Sequence, residues 1–183
     1  TMRSSLLPGL VATIRHNLKR QRSRVRIFES GLRFVPSENG LVQEPMLAFA
    51  ACGNRHNDSW HGNNASIDFY DVKGDLQSLL GLTGCMDQFS FVPAQRDGMH
   101  PGQCAEIQRN GEHVGYIGMI HPSVQAELDL SRPVVMAELR LSQIVESKLP
   151  KFKEISKFPE IRRDLAIVVD KTIPSSSILG GIY

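Results

Sequence analysis

The stretch Ala105-Glu106-Ile107-Gln108-Arg109-Asn110-Gly111-Glu112-His113-Val114-Gly115-Tyr116-Ile117-Gly118-Met119-Ile120 decides the fold class. Two strand-like runs, residues 105 to 108 and 113 to 120, flank Asn110-Gly111, a strong two-residue hairpin signal. The two runs are therefore expected to be antiparallel neighbours. Working outward, residues 89 to 92 read as a further strand. On the other side Pro122 opens a short helix at the position where proline is best tolerated, and residues 134 to 139 return as a strand. A brief helix capped by Ser142 follows, through Glu146.

Upstream, residues 25 to 35 read as a strand with Gly31 as a bulge, and Ser37-Glu38-Asn39-Gly40 is the next turn. Residues 46 to 51 form a continuous apolar run between Pro45 and Gly53, which predicts a buried strand; residues 54 to 65 read as loop. Two longer helices complete the pattern. Over residues 5 to 22, Leu7, Leu10, Val11, Ile14 and Leu18 share one helical face, Ser4 or Ser5 can cap the start, and Pro8 falls in the first turn. Arg15, Lys19 and Arg22 lie opposite, toward the C-terminal end that the helix dipole favours for cations. From Asp68, Phe69, Val72, Leu76, Leu79 and Leu80 define a second amphipathic helix that ends near Gly81 or Gly84. Strands paired by turns with helices between them predict an α+β fold: a mainly antiparallel sheet flanked by helices.

The chain has 183 residues, 41% of them hydrophobic, and a net charge of +2 from 21 Lys and Arg against 19 Asp and Glu. That balance excludes a disordered charged tail and suits one domain of about 150 residues plus a remainder. Past Leu149-Pro150 the composition changes, with Lys151, Lys153 and Lys157 ahead of Phe158-Pro159 and a strand expected over residues 164 to 169. A boundary near residue 148 is expected, separating residues 1 to 147 from residues 148 to 183. The start at Thr1-Met2 and the end at Gly180-Gly181-Ile182-Tyr183 look cut from a longer chain. The near-neutral total hides an uneven distribution. Residues 1 to 33 carry eight Lys or Arg against only Glu29, residues 34 to 147 carry six against fourteen acids, and residues 148 to 183 carry seven against four. Basic ends around an acidic middle point to a polyanionic partner for the ends, or to solvated helix faces. Three cysteines, Cys52, Cys85 and Cys104, make no disulfide framework and fit a reduced, cytoplasmic setting. No apolar run approaches the roughly 20 residues of a membrane helix.

Six motifs follow one another in order: Met2-Arg3-Ser4-Ser5-Leu6-Leu7-Pro8-Gly9-Leu10, Arg26-Ile27-Phe28-Glu29-Ser30-Gly31, Phe69-Tyr70-Asp71-Val72-Lys73-Gly74, His100-Pro101-Gly102, Gly118-Met119-Ile120-His121-Pro122 and Phe158-Pro159-Glu160-Ile161-Arg162-Arg163-Asp164-Leu165. In this order and spacing the chain resembles, over essentially its whole length, the beta-subunit family of bacterial phenylalanyl-tRNA synthetases. The resemblance implies that residues 1 to 147 are a class II aminoacyl-tRNA synthetase core-like module. Residues 148 to 183 would be a linker and the first part of a ferredoxin-like anticodon-binding domain. It also implies a holoenzyme that attaches phenylalanine to its tRNA with ATP and magnesium. The implied partners are a catalytic alpha subunit in an alpha2beta2 assembly and phenylalanine tRNA. The family's metal and editing residues belong to domains outside this stretch.

Active class II enzymes carry Arg-x-Glu on one strand, so that both side chains project from one face. Here Arg26 and Glu29 are three apart, and on a regular strand they point to opposite faces. The later class II motif is glycine-rich, but residues 119 to 179 hold no glycine. Met136 and Glu138 stand where glycines would let adenine approach, and Arg140 lies near the position of the second phosphate-binding arginine. We therefore expect no catalytic, cofactor-binding or metal residue in this chain, and a scaffold role. The alternative is an independently active class II adenylate-forming enzyme. The resemblance assigns Leu7, Leu10, Val11, Ile14 and Leu18 to a subunit interface with alpha, although the stripe could equally be satisfied within the domain. Arg162 and Arg163 are weak tRNA-binding candidates, with an Arg163-Asp164 ion pair as the competing reading.

Three other groupings have structural readings. Cys52, His56, His61 and the distant Cys104 lack the tight paired spacing of a zinc site. His100 and His121, each before a proline, read as turn or strand-end positions. Asp68, Asp71 and Asp75 suit a helix N-terminus better than a divalent-cation site.

Overall fold

The computed structural model describes residues 2–38, 40–57, 60, 65–148, 152, 154, 157–159 and 161–182. The chain divides into two compact units, residues 1–150 and 151–183. In the first, six strands form one sheet in the order β1-β2-β6-β5-β4-β3, every neighbouring pair antiparallel. Their ranges are β1 Arg24–Ser37, β2 Gly40–Gly53, β3 Phe89–Pro93, β4 Met99–Arg109, β5 Glu112–Ile120 and β6 Val134–Arg140. The helices are α1 Leu7–Leu18, α2 Phe69–Gly81 and α3 Pro122–Glu127, and the second unit carries α4 Ser175–Ile182.

The Asn110-Gly111 hairpin is present: the two residues take φ of 51° and 85°, as a type I′ turn between β4 and β5 requires. Alternation along β2 explains how one sheet carries two cores. Met46, Ala48, Ala50 and Cys52 face α1, while Leu47, Phe49 and Ala51 face α2. Alanines beneath α1 let the helix sit close to the sheet. Leu7, Leu10, Val11 and Ile14 are buried there, with Leu18 packed at the margin and Val124 and Leu128 of α3 beside it. On the far side Val72, Leu76 and Leu80 of α2 cover Ile107, Ile117, Ala137 and Leu139. Burying each such side chain contributes about 1.5–3 kcal/mol.

Four expectations are corrected. Gly31 is no bulge, because the β1–β2 register runs unbroken from Arg24↔Gly53 to Ser37↔Gly40; a Cβ there would run into the Arg3 guanidinium, whose segment crosses β1 by Phe34 N–H donating to the Arg3 carbonyl at 2.8 Å. The irregularities lie between β4 and β5 instead, and β4 begins at Met99 rather than at residue 105. The helix through residue 146 is only the 3-10 turn Leu141–Gln143. Residues 161–170 form no strand, because the segment has no ladder partner among the described residues, and Leu165 and Val168 stay exposed. Asn39 of the first turn lies outside the described residues.

The first turn of α2 is closed by a capping box. The Asp71 N–H donates to Asp68 Oδ1 and the Asp68 N–H to Asp71 Oδ2, both at 2.9 Å. Arg55 Nε adds a charged donor to Asp71 at 2.9 Å. Burial works against the Asp71 carboxylate, but the Asp68 N–H and the Arg55 guanidinium together hold its pKa below the usual carboxylate value. A depressed folded pKa means the stabilisation is complete above the unfolded value of about 3.9 and fades as pH falls through the lower folded one. Asp71→Asn should cost about 1 kcal/mol at neutral pH, and the gap to the parent should narrow below about pH 4. Urea midpoints at the two pH values test this; a gap independent of pH would sink the role of the charge.

Candidate functional site

The sheet decides where a phosphate-binding pair could form. With β1 regular, Arg26 and Glu29 emerge on opposite faces. Arg26 Nη1 donates to Asp75 Oδ2 of α2 at 2.5 Å, and Glu29 Oε1 accepts from Arg3 Nη1 at 2.5 Å beside α1. Each is committed to an ion pair on its own side. Among the described residues Arg140 Nη1 reaches the His113 carbonyl, at 3.4 Å. The three side chains do not converge on one ligand.

What does converge is a polar cluster under α1. Glu138 of β6 is 1% exposed. Its Oε1 accepts from the Leu6 N–H at 2.7 Å and from the Ser5 hydroxyl at 3.0 Å, and its Oε2 accepts from the Tyr116 hydroxyl at 3.4 Å. A buried carboxylate so held is an acceptor for the orphan donors at a helix start. Glu138 thus takes the place of the expected serine cap: Leu6, the N-cap residue, makes no side-chain cap, and Ser5 Oγ accepts only the Leu7 N–H at 3.1 Å. Burial, reinforced by the Glu138 charge, pushes the Tyr116 hydroxyl up to about 12. The Arg96 guanidinium lies 3.5 Å above the Tyr116 ring centroid. Above this cluster opens a largely apolar groove of about 490 Å³ between α1, the segment before β4, and α3, lined by Leu7, Val11, Met99, Ile120, Leu128 and Met136. Sequence reasoning placed Met136 and Glu138 at a blocked nucleotide site but missed Glu138 as a cap. The signal was a lone carboxylate inside the otherwise apolar run of residues 134 to 139, which must find donors.

The interface stripe is placed plainly. Leu7, Leu10, Val11 and Ile14 are buried in the chain's own core and Leu18 is partly buried against it, while Leu7 and Val11 also line the groove. Asp68, Asp71 and Asp75 are accounted for by the capping box and by Arg26. His100 Nδ1 accepts the Gly102 N–H at 3.1 Å, and His121 Nδ1 accepts the Ser123 N–H at 3.2 Å as the N-cap of α3, so both close local turns. Cys52, Cys85 and Cys104 are free and buried, and burial pushes the Cys52 thiol up to about 11. His56 is exposed, His61 lies outside the described residues, and no group of three metal-ligating side chains occurs among the described residues.

In the second unit Arg162 and Arg163 lie on an exposed segment without regular secondary structure, and among the described residues Arg163 and Asp164 form no ion pair. Lys151 and Lys153 lie outside the described residues. No described helix is long and apolar enough to cross a membrane.

Known proteins share this sequence closely. Residues 1–141 match the family described as the phenylalanyl tRNA synthetase beta chain CLM domain. The phenylalanine–tRNA ligase beta subunits of two Pseudomonas fluorescens strains, Pf-5 and Pf0-1, are each 51% identical to this chain over 178 residues. That of Pseudomonas savastanoi pv. phaseolicola is 49% identical over the same length. Each alignment covers 97% of this chain and 22% of the relative. With that much of the first unit matched, and sequence identity this high across both units, the chain belongs to the phenylalanyl-tRNA synthetase beta chain family.

Proposed function

We propose that residues 1 to 147 are a non-catalytic, class II synthetase-like core, and that they serve as a scaffold within an enzyme that attaches phenylalanine to its tRNA using ATP and magnesium in the cytoplasm. The observation that carries this reading is the register of β1, which sends Arg26 and Glu29 to opposite faces and into separate ion pairs. Charge stabilisation of a transferring phosphoryl group needs cations already converged on it. The residues present do not fit ATP, so no step of the chemistry is assigned to them. The competing reading, an independently active adenylate-forming enzyme, requires that convergence.

On this proposal the catalytic alpha subunit docks on the module in an alpha2beta2 assembly. The contact would involve the α1 stripe of Leu7, Leu10, Val11, Ile14 and Leu18 through the groove that Leu7 and Val11 line, together with the exposed Pro8, Ala12 and Thr13 beside it. Residues 148 to 183 would begin a ferredoxin-like anticodon-binding domain, with Arg162 and Arg163 meeting tRNA phosphates; exposure of both supports this.

The test uses the assembled enzyme. Arg26→Ala should leave ATP–pyrophosphate exchange within about twofold of wild type, since it removes only a surface ion pair worth at most about 1 kcal/mol. A fall of about 100-fold, the usual loss when one charge-stabilising donor is removed from an active site, would overturn the scaffold reading.

A further inference from the structure

We propose that the end of the first unit formed by the turn after α1 and the β2 and β6 termini is a second RNA-backbone surface, built from Arg20, Arg22, Arg24 and Arg132. Its choice of RNA rests on the ligase reading above; its existence as an anion surface rests on the geometry alone.

The cations come together through the fold. After α1, Gln21 takes a left-handed φ of 60° and turns the chain so that the Arg22 N–H donates back to the Asn17 carbonyl at 3.3 Å. The next carbonyl, that of Ser23, accepts from the Asn54 N–H at 3.0 Å and from Arg132 Nη1 at 3.2 Å, and Arg132 Nη1 also reaches Asn54 Oδ1 at 3.0 Å. Arg132, 109 positions along the chain from Ser23, is thereby fastened to the backbone of the segment that carries Arg20, Arg22 and Arg24. Gly53 is needed for this closeness, since a Cβ there would strike the Ser23 carbonyl. Arg20 touches His16 one turn back along the helix.

None of these four guanidinium groups forms an ion pair with an acid among the described residues; in this region only Lys19 does, with Asp129 at 2.9 Å. Residues 1 to 150 hold fifteen Lys or Arg and fifteen Asp or Glu, so the patch is no by-product of a generally basic unit. Arg20 sits just past the end of α1, where the helix dipole favours a cation, but Arg24 opens β1 and Arg132 precedes β6. Both are half-buried, and Arg132 is held by its bonds to the Ser23 carbonyl and Asn54 Oδ1, which lowers its ordering cost on meeting a phosphate. Fixed guanidinium forks suit phosphodiester oxygens. The acidic remainder of the module would steer a polyanion toward this end and away from the rest. The four side chains are all guanidinium groups, so the surface meets the RNA backbone and is indifferent to sequence.

The experiment uses the full alpha–beta enzyme carrying R20E/R22E, two exposed positions outside the core. The KM for tRNA should rise at least tenfold while ATP–pyrophosphate exchange is unchanged. The slope of log affinity against log salt should shrink by about 0.7–0.9 for each phosphate the variant no longer neutralises. An assembled variant with unaltered KM and salt slope overturns the proposal. So does loss of assembly with alpha, which would make the patch a protein interface. The ligase reading is judged separately: it fails if the wild-type assembly charges no tRNA, whereas the patch is judged by filter retention of labelled tRNA by wild type against R20E/R22E, which needs no aminoacylation.

Discussion

Glu138→Ala is expected to lower the stability of the first unit by about 3–5 kcal/mol, a large share of the roughly 5–15 kcal/mol that holds a typical domain together. The substitution leaves three donors without an acceptor: the Leu6 N–H, the Ser5 hydroxyl and the Tyr116 hydroxyl. The backbone N–H matters most. It is the shortest of the three bonds, it is charge-assisted, and it ties the start of α1 to the centre of the sheet. Glu138→Gln keeps an oxygen acceptor of the same reach and should recover about half of the loss. Denaturant midpoints for both variants, with hydrogen exchange at the α1 amides, provide the check. A Glu138→Ala protein within about 0.5 kcal/mol of the parent would mean that α1 is held by its apolar face alone.

Gly115→Ala is the second large effect, about 3 kcal/mol, and its cause is backbone rather than side chain. Gly115 lies on β5 opposite Leu139 of β6. A Cβ there would stand 2.8 Å from Leu139 Cα and closer still to the Glu138 carbonyl. No rotamer relieves a clash between two strands of the same sheet, so the ladder itself must open. Gly118, three residues on, is the internal control: its added Cβ would meet Met99 Sδ at 3.1 Å and Cys104 Sγ at 3.4 Å, the first a flexible side chain that can move aside. Gly118→Ala should therefore cost about 1 kcal/mol or less. Equal thermal shifts for the two variants would contradict the close approach of β5 to β6.

The reach of the sequence shows in particular elements. The Asn110-Gly111 turn was legible because its two left-handed residues are a local requirement, met by residue type. Helix α2 was legible from Asp68 and the apolar period for the same reason. Gly31 was misread, because a strand glycine signals either a bulge or a close neighbour, and the neighbour, Arg3, is remote along the chain. The strand expected over residues 164 to 169 failed because a strand needs a partner, and an apolar run does not supply one.

The candidate site divides along the same line. Residue spacing alone determined that Arg26 and Glu29 would part, since the two-residue period of a strand is a property of the backbone. It also determined the α+β class, the order of strands and helices in the first unit, and the family likeness carried by six ordered motifs. Which core each face feeds, that Glu138 caps a helix lying some 130 residues earlier, that Leu7, Leu10, Val11 and Ile14 are buried in the chain's own core, and that Arg132 reaches the Ser23 carbonyl were decided only by the tertiary structure. Those are meetings between positions far apart in the chain, and local periodicity carries no information about which distant side chain arrives beside a buried charge or an exposed one.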